Sequence, residues 1–237
     1  MKKQKIEVSK VKGRGRRRFI KTSGIALAGS SLLVACFDDE DLYGGNDGPF
    51  DLGGGDLGVL NYAYALEQLE ADFYTKVLNG NYWSGANEVE KTMFQDIYNH
   101  ELNHRDFFKA AISSVYDEDE VLPELGFDFS SVDFNDRKSV LETAQLLEDT
   151  GVKAYNGAGK LITSGDYLVL AGKIVSVEAR HASAIRSVLG DHMDDFKFFA
   201  GDDVVDASGL DGAEDPSVIL AAAGGFITTE FTANKLP

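Results

Sequence analysis

Cysteine is almost absent from this sequence, since Cys36 is the single one among 237 residues. An internal disulfide, a cysteine-rich zinc site and a rubredoxin-type iron centre all need more than one cysteine, so the sequence excludes them. Histidine is also scarce, with four residues. One Glu-x-x-His pair, such as Glu101 and His104, is therefore close to what chance supplies. It predicts a metal site only where other parts of the sequence agree with it.

The N-terminal part lacks a hydrophobic run long enough to span a bilayer as a stable helix, because its apolar segment IALAGSSLLVA covers only residues 25–35. This segment follows GRRRFIK at residues 15–21, whose adjacent arginines resemble a twin-arginine export signal. It ends in LVAC, which resembles a lipobox. We expect residues 1–35 to be a signal segment and Cys36 to be acylated. The alternative for Cys36 is a small buried thiol at the edge of a signal anchor.

Positive charge is scarce after residue 35. Residues 1–35 contain ten Lys or Arg and one acid, whereas the remainder has 13 bases and 38 acids. Such an acidic domain is a poor candidate for binding nucleic acid or an anionic membrane surface. The acyl chain on Cys36 is therefore the expected contact with membrane lipid. Residues 36–56 are rich in Gly and Asp and are predicted to be a flexible linker. The protein is thus expected in the cell envelope, in the periplasm or on the outer surface.

From residue 57 onward, apolar residues recur at helical spacing, and no strand-like alternation is sustained. Four helices are predicted: residues 57–79, a second after Asn87, a third from near Arg137 and a fourth from near Asp166. Asn87 and Glu90 have the spacing of a capping box at the start of the second helix. A connector of about twenty residues separates the second helix from the third. Its length predicts that the chain runs back along the bundle there.

Each predicted helix has one stripe of inward positions, three and four residues apart, as in a helix bundle. The stripes are Leu60, Ala63, Glu67, Glu70, Tyr74 and Val77 or Leu78; Phe94, Ile97, Glu101, His104, Phe108 and Ala111; Leu141, Ala144, Glu148, Gly151, Tyr155 and Ala158; and Ala171, Ile174, Glu178, His181, Ile185 and Val188. The first and third stripes place Tyr seven residues after Glu, and each is followed by a Glu-x-x-His stripe. This repeat predicts an all-α four-helix bundle of two antiparallel helical hairpins, joined by a long crossover.

The inward stripes carry carboxylates that would be costly to bury among apolar residues without a cation or a proton. Six polar residues share these stripes: Glu67, Glu101, His104, Glu148, Glu178 and His181. Six ligands suit two divalent ions, with Glu101 and Glu178 as bridges and Glu67 and Glu148 as terminal ligands. Tyr74 and Tyr155 are predicted to hydrogen-bond ligand carboxylates, with ordinary core packing as the alternative.

Three features outside this set carry separate expectations. Glu70 lies on an inward stripe and Gly151 is its counterpart in the repeat, so we predict an extra, movable carboxylate ligand near one ion. His100 and His192 fall off the stripes and are expected to have no role. Residues 191–237 form a C-terminal extension whose apolar segment SVILAAAGGFITTEF is expected to pack on the bundle, with a partner-binding strip as the alternative.

Residues 57–190 resemble the ferritin-like superfamily of dimetal-carboxylate four-helix bundles. The segments NYAYALEQLEADFY, LEDTGVKAYNGA and VEARHASAIRSVLG are similar to the extracytoplasmic ferritin-like family related to desiccation-associated proteins. The resemblance implies that the six residues are metal ligands. It also implies that iron is the usual metal and that manganese occupies the site in a catalase branch.

Three functions fit this sequence. The first is an oxygen- or peroxide-reactive dimetal protein of oxidative or stress protection, with diiron chemistry expected and dimanganese peroxide disproportionation as its rival. The second is a non-enzymatic metal-binding or structural stress protein of the envelope, and the third is a scaffold for a partner. The sequence does not decide whether the protein is an enzyme, but an enzyme would be an oxidoreductase acting on oxygen or peroxide. An external electron donor and a second copy of the chain, as in a homodimer, are candidate partners.

Overall fold

The computed structural model describes residues 48–189, 199, 201 and 203–237. The expected export signal, Cys36 and His192 lie outside the described residues. In chain order, the described elements are β1 Phe50–Asp51, α1 Gly55–Asn79, α2 Asn81–Gly85, α3 Glu88–Ser113, α4 Arg137–Gly159, α5 Gly165–Leu189, α6 Pro216–Ala223 and β2 Phe231–Thr232. A 3-10 turn, Glu118–Glu120, lies between α3 and α4.

The four long helices confirm the predicted fold class. α1 packs mainly against α3 and α4 mainly against α5, which gives two hairpins, and lighter contacts of α1 with α4 and of α3 with α5 close the bundle. The observed helices begin within two residues of the predicted positions. Within the part of the chain that the structure describes, no helix is both long and apolar enough to cross a membrane.

Asn87 fixes the start of α3. Its side-chain oxygen accepts a hydrogen bond of 2.9 Å from the backbone N–H of Glu90, which satisfies one of the free amides of the first turn. The reciprocal half of a capping box is missing, because the Glu90 carboxylate instead accepts from the Tyr82 hydroxyl at 2.5 Å and from Arg137 Nε at 2.8 Å. Glu90 therefore ties α3 to the start of α4 and to the short helix α2.

The connector between α3 and α4 runs along α1. Two buried amide side chains of α1 hold it there. Asn61 donates from Nδ2 to the carbonyl of Glu120 and accepts at Oδ1 from the N–H of Leu122, both at 2.9 Å. Gln68 makes the equivalent pair of bonds, 3.2 and 2.9 Å long, further along the connector. The buried residues of α1 therefore extend past its inward stripe, because the connector covers a second face of this helix.

The predicted linker ends before residue 56. β1 pairs in parallel with β2 near the C-terminus, and Leu52 is fully buried. The backbone N–H of Leu52 also donates to the carbonyl of Thr232 at 2.8 Å. Burial of an apolar side chain together with these backbone bonds favours one fixed conformation, so residues 50–56 belong to the folded unit and not to a flexible tether.

The segment before α6 lies directly on α4. The backbone N–H of Glu214 donates to the carbonyl of Lys153 at 3.1 Å, and the Asn156 side chain donates to the carbonyl of Gly212 at 3.0 Å. Gly157 permits this close approach, since a Cβ at that position would lie 1.7 Å from the Glu214 carbonyl oxygen. A side chain at position 157 would therefore push this segment away from α4.

Candidate metal centre

The structure brings the six predicted ligand residues together in the bundle core. Each long helix contributes one fully buried acid: Glu67 from α1, Glu101 from α3, Glu148 from α4 and Glu178 from α5. α3 and α5 each add a histidine one turn after the acid. The side chains form two overlapping clusters, Glu67 with Glu101, His104 and Glu178, and Glu101 with Glu148, Glu178 and His181, in each of which the ligand atoms lie within 4.8 Å of one another.

The first cluster is centred on Nδ1 of His104. This atom lies 3.0 Å from Oε1 of Glu178, 3.2 Å from Oε2 of Glu101 and 3.4 Å from Oε2 of Glu67. Three carboxylates from three helices thus converge on one imidazole nitrogen.

The second cluster repeats this arrangement around Nδ1 of His181. That atom lies 2.9 Å from Oε1 of Glu101, 3.3 Å from Oε2 of Glu148 and 3.6 Å from Oε2 of Glu178. Glu101 and Glu178 therefore present one oxygen to each histidine, whereas Glu67 and Glu148 each face a single histidine. This is the distribution that two bridging and two terminal carboxylates would have.

Several of these buried atoms make no hydrogen bond of suitable geometry among the residues that the structure describes, although carboxylate oxygens and imidazole nitrogens lie close together. They are Glu67 Oε2, Glu101 Oε1, Glu148 Oε2, both carboxylate oxygens of Glu178, and His181 Nδ1. A buried polar group without a partner costs about 1–3 kcal/mol, and a charged one costs more. All of these atoms point into the two clusters, so cations placed there would satisfy them together. The donor set therefore fits two metal ions.

Two tyrosines hold the outer carboxylates from the opposite hairpin. The hydroxyl of Tyr74 on α1 donates to Oε1 of Glu148 on α4, and the hydroxyl of Tyr155 on α4 donates to Oε1 of Glu67 on α1. Each bond occupies one oxygen and leaves the other, Oε2, directed at a histidine. The two crossed bonds follow the approximate two-fold symmetry of the repeat.

Protonation of the two histidines offsets the negative charge of the buried carboxylates. Burial would lower the pKa values of His104 and His181, but the surrounding carboxylates outweigh this effect and raise both pKa values well above the usual range. Burial would raise the pKa of Glu178, but contacts with the two histidines lower it to about 2. Burial raises the pKa of Glu148 to about 7. In the metal-free protein, the two imidazolium rings thus supply the positive charge that the carboxylates need.

Glu70 lies beside the six residues without belonging to either cluster. It is 3 % exposed, and a Cβ added at Gly151 would lie 3.2 Å from Glu70 Oε1 and 3.8 Å from Glu178 Oε2. The absent side chain at Gly151 therefore leaves the space that Glu70 occupies. Burial, followed by the charges of Glu178 and Glu148, raises the pKa of Glu70 well above its usual range.

His100 contacts the centre although the helical stripes predict no role for it. Its Nδ1 lies 2.9 Å from Nε2 of His181, and the two ring planes differ by 8°. The structure thus gives His100 a contact with a candidate ligand that the helical stripes do not predict. Position 100 lies off the inward face of α3, but that side of the helix meets α5, which carries His181. The i, i+4 spacing of His100 and His104 was the signal available in the sequence.

A small apolar cavity lies beside Tyr155, whose hydroxyl bonds Glu67, but none of the six cluster residues lines it. Its volume is about 30 Å³, and Ala63, Leu66, Phe108, Ala154 and Tyr155 are among its lining residues. A cavity of this size holds one or two molecules as small as water.

Four carboxylates and two histidines, arranged about an approximate two-fold axis inside four long helices, define a four-helix bundle with a buried carboxylate and histidine cluster that is consistent with a dimetal site. The chain belongs to the ferritin-like domain family, because the sequence model of that family matches residues 55–191, more than half of the chain. No curated protein matches the chain in a sequence search.

Proposed function

We propose that this protein binds two divalent metal ions in the bundle core and uses them to react with oxygen or peroxide. The observation that carries the proposal is the arrangement of Glu101 and Glu178, each of which presents one oxygen to His104 and the other to His181. Shared carboxylates between two imidazole nitrogens are suited to two adjacent cations. A single ion would leave half of these buried oxygens without a partner.

The roles of the ligands follow from this arrangement. Glu67, Glu101, His104 and Glu178 would hold one ion, and Glu101, Glu148, Glu178 and His181 would hold the other. Four carboxylates would then face two divalent ions, which makes the core nearly neutral and removes the cost of burying the acids. Tyr74 and Tyr155 would keep the outer carboxylates oriented.

Glu70 is proposed as an additional carboxylate ligand that can move toward one ion. Its closeness to Glu178 across the space left by Gly151 supports this role. The matched test compares Glu70→Ala with the unaltered protein in metal affinity and in turnover of peroxide. Equal values in both measurements would remove Glu70 from the site.

Imidazole and carboxylate donors suit both iron and manganese. The resemblance to extracytoplasmic ferritin-like proteins related to desiccation-associated proteins favours iron, and the ions would supply the redox chemistry when bound. The chain itself contributes a small apolar cavity beside Tyr155, which has room for a very small molecule near Glu67. With a single cysteine in the chain, repeated reduction of oxygen would need an external electron donor, whereas disproportionation of peroxide would need none.

Export and anchoring are part of the same proposal. The twin arginines and the lipobox ending at Cys36 support secretion of a folded protein that is held at the cell envelope by an acyl chain. Loading before export would let the cell choose the ion, instead of leaving the choice to affinity outside the cytoplasm.

The decisive experiment is metal analysis of the protein purified from its native compartment, followed by measurement of oxygen evolution from peroxide. Two iron ions per chain with peroxide reduction only in the presence of a donor would support the diiron form. Two manganese ions with oxygen release would indicate disproportionation instead. Metal without turnover would identify a non-enzymatic metal-binding protein, and a metal-free native protein would refute the dimetal site.

A further inference from the structure

We propose that His100 is a positioning residue for His181 and that it makes the two metal positions unequal. The inference rests on the proposed dimetal site. Its basis is the contact of 2.9 Å between Nδ1 of His100 and Nε2 of His181, with the two rings nearly parallel. Since Nδ1 of His181 faces three carboxylates, Nε2 is the nitrogen on the far side of the ring from the cluster.

The hydrogen on this contact can be assigned from the chemistry of imidazole. An imidazole that gives Nδ1 to a metal carries its hydrogen on Nε2. His181 must then donate from Nε2, so His100 accepts at Nδ1 and keeps its own hydrogen on Nε2. A bond of this kind fixes the orientation of a ligand ring and increases its basicity.

The other half of the centre lacks such a partner. In the repeat, Glu101 corresponds to Glu178, so the position equivalent to His100 is Val177, whose side chain cannot accept a hydrogen bond. Within residues 48–189 and 203–237, Nε2 of His104 has no hydrogen-bond partner. The approximate two-fold symmetry of the six ligands is therefore broken just outside them.

His100 is also accessible, which makes the inference testable without damage to the core. It lines an open groove between α3 and α5, together with Thr92, Ile97, Arg180 and Ala184. Because His100 itself is exposed, its replacement creates no buried cavity. A change in metal binding would then report on the His181 ring and not on unfolding.

The experiment uses two backgrounds that weaken one metal position each. Glu67→Gln removes a ligand that faces only His104, so the metal position at His181 becomes the tighter one. Glu148→Gln removes a ligand that faces only His181, so the position at His104 becomes the tighter one. His100→Leu is then added to each background, and Co²⁺ affinity is measured by titration with optical detection. We expect about a 10- to 100-fold loss of affinity and a changed Co²⁺ spectrum in the Glu67→Gln background. The Glu148→Gln background should retain its affinity within about twofold.

Two control substitutions separate positioning from a general effect. His100→Asn keeps an acceptor atom at the place of Nδ1 and should restore most of the affinity. Thr92 lies in the same groove, and its hydroxyl donates to the carbonyl of Glu88 and not to a histidine. Thr92→Ala should therefore leave the Co²⁺ affinity unchanged in both backgrounds. Equal losses in the two backgrounds, no loss in either, or a failure of Asn to restore binding would overturn the role of His100 while leaving the metal centre intact. Failure of the unaltered protein to bind Co²⁺ would instead refute the proposed dimetal site and this inference with it.

Discussion

Bound metal should increase the thermal stability of the protein. Each acid should contribute to this increase in proportion to the number of histidines that it faces. Ions that bind only the folded chain stabilise it by about 2.7 kcal/mol each at a free concentration of 100 times the dissociation constant, or about 5 kcal/mol for two. For a domain of this size, 1 kcal/mol moves the thermal midpoint by about 2–4 °C, so saturation should raise the midpoint by roughly 10–20 °C. Thermal unfolding followed by circular dichroism, with and without Mn²⁺, measures this rise.

A sharper test compares how much two isosteric substitutions reduce the metal-dependent rise of the thermal midpoint. Glu178 presents an oxygen to both histidines, whereas Glu67 faces His104 alone. Glu178→Gln should therefore reduce the metal-dependent rise about twice as much as Glu67→Gln, because it weakens two positions instead of one.

Glu90→Gln is the matched control for this series. Glu90 is also buried, at 2 % exposure, but it bonds with Tyr82 and Arg137 away from the clusters. Its substitution should lower the midpoint in both conditions and leave the metal-dependent rise unchanged. A full rise in Glu178→Gln, or a rise reduced equally by Glu90→Gln, would refute the assignment of the bridging acids.

Four further substitutions test the surroundings of the site by urea unfolding. Gly157→Ala should destabilise the protein by about 1–3 kcal/mol, because its Cβ would meet a backbone carbonyl at 1.7 Å; Gly172→Ala, in open space on α5, should stabilise it by up to about 1 kcal/mol. Equal effects of these two would contradict the close approach to α4. Tyr155→Phe should cost the metal-free protein about 2 kcal/mol through the lost bond to a buried carboxylate, and an unchanged midpoint would speak against that bond. Arg186→Met should cost about 3 kcal/mol, since the buried guanidinium donates to Asp149 at 3.0 and 2.5 Å. A loss as small as that of an exposed ion pair would contradict this estimate.

Helix position and the choice of six candidate ligands could be predicted from the sequence because both depend on local periodicity. Residues three or four apart on a helix share a face whatever the helix packs against, so the stripes through Glu67, Glu101, Glu148 and Glu178 were readable before any packing was known. The repeat then indicated which stripes face one another. The structure brings the same six side chains together.

The partners of the tyrosines could not be read in this way. Tyr74 lies seven residues after Glu67, which places it about 10.5 Å along the same helix and out of reach of that acid. Only the packing of α1 against α4 sets Tyr74 beside Glu148 and Tyr155 beside Glu67. A pairing between helices depends on their relative shift along the bundle axis, which periodicity within one helix does not specify.

Packing between helices likewise explains why the residues that surround the six candidate ligands could not be predicted from the sequence. Inward spacing alone identified His104 and His181, but it discarded His100, whose contact with His181 exists because α3 and α5 meet along their edges. Asn61 was likewise unpredictable, since its role is to hold a connector that returns from the other end of α3. Local sequence thus determined the helices and placed carboxylates and histidines on their inner faces. Tertiary packing decided which side chains orient those ligands, because these contacts join residues from different helices.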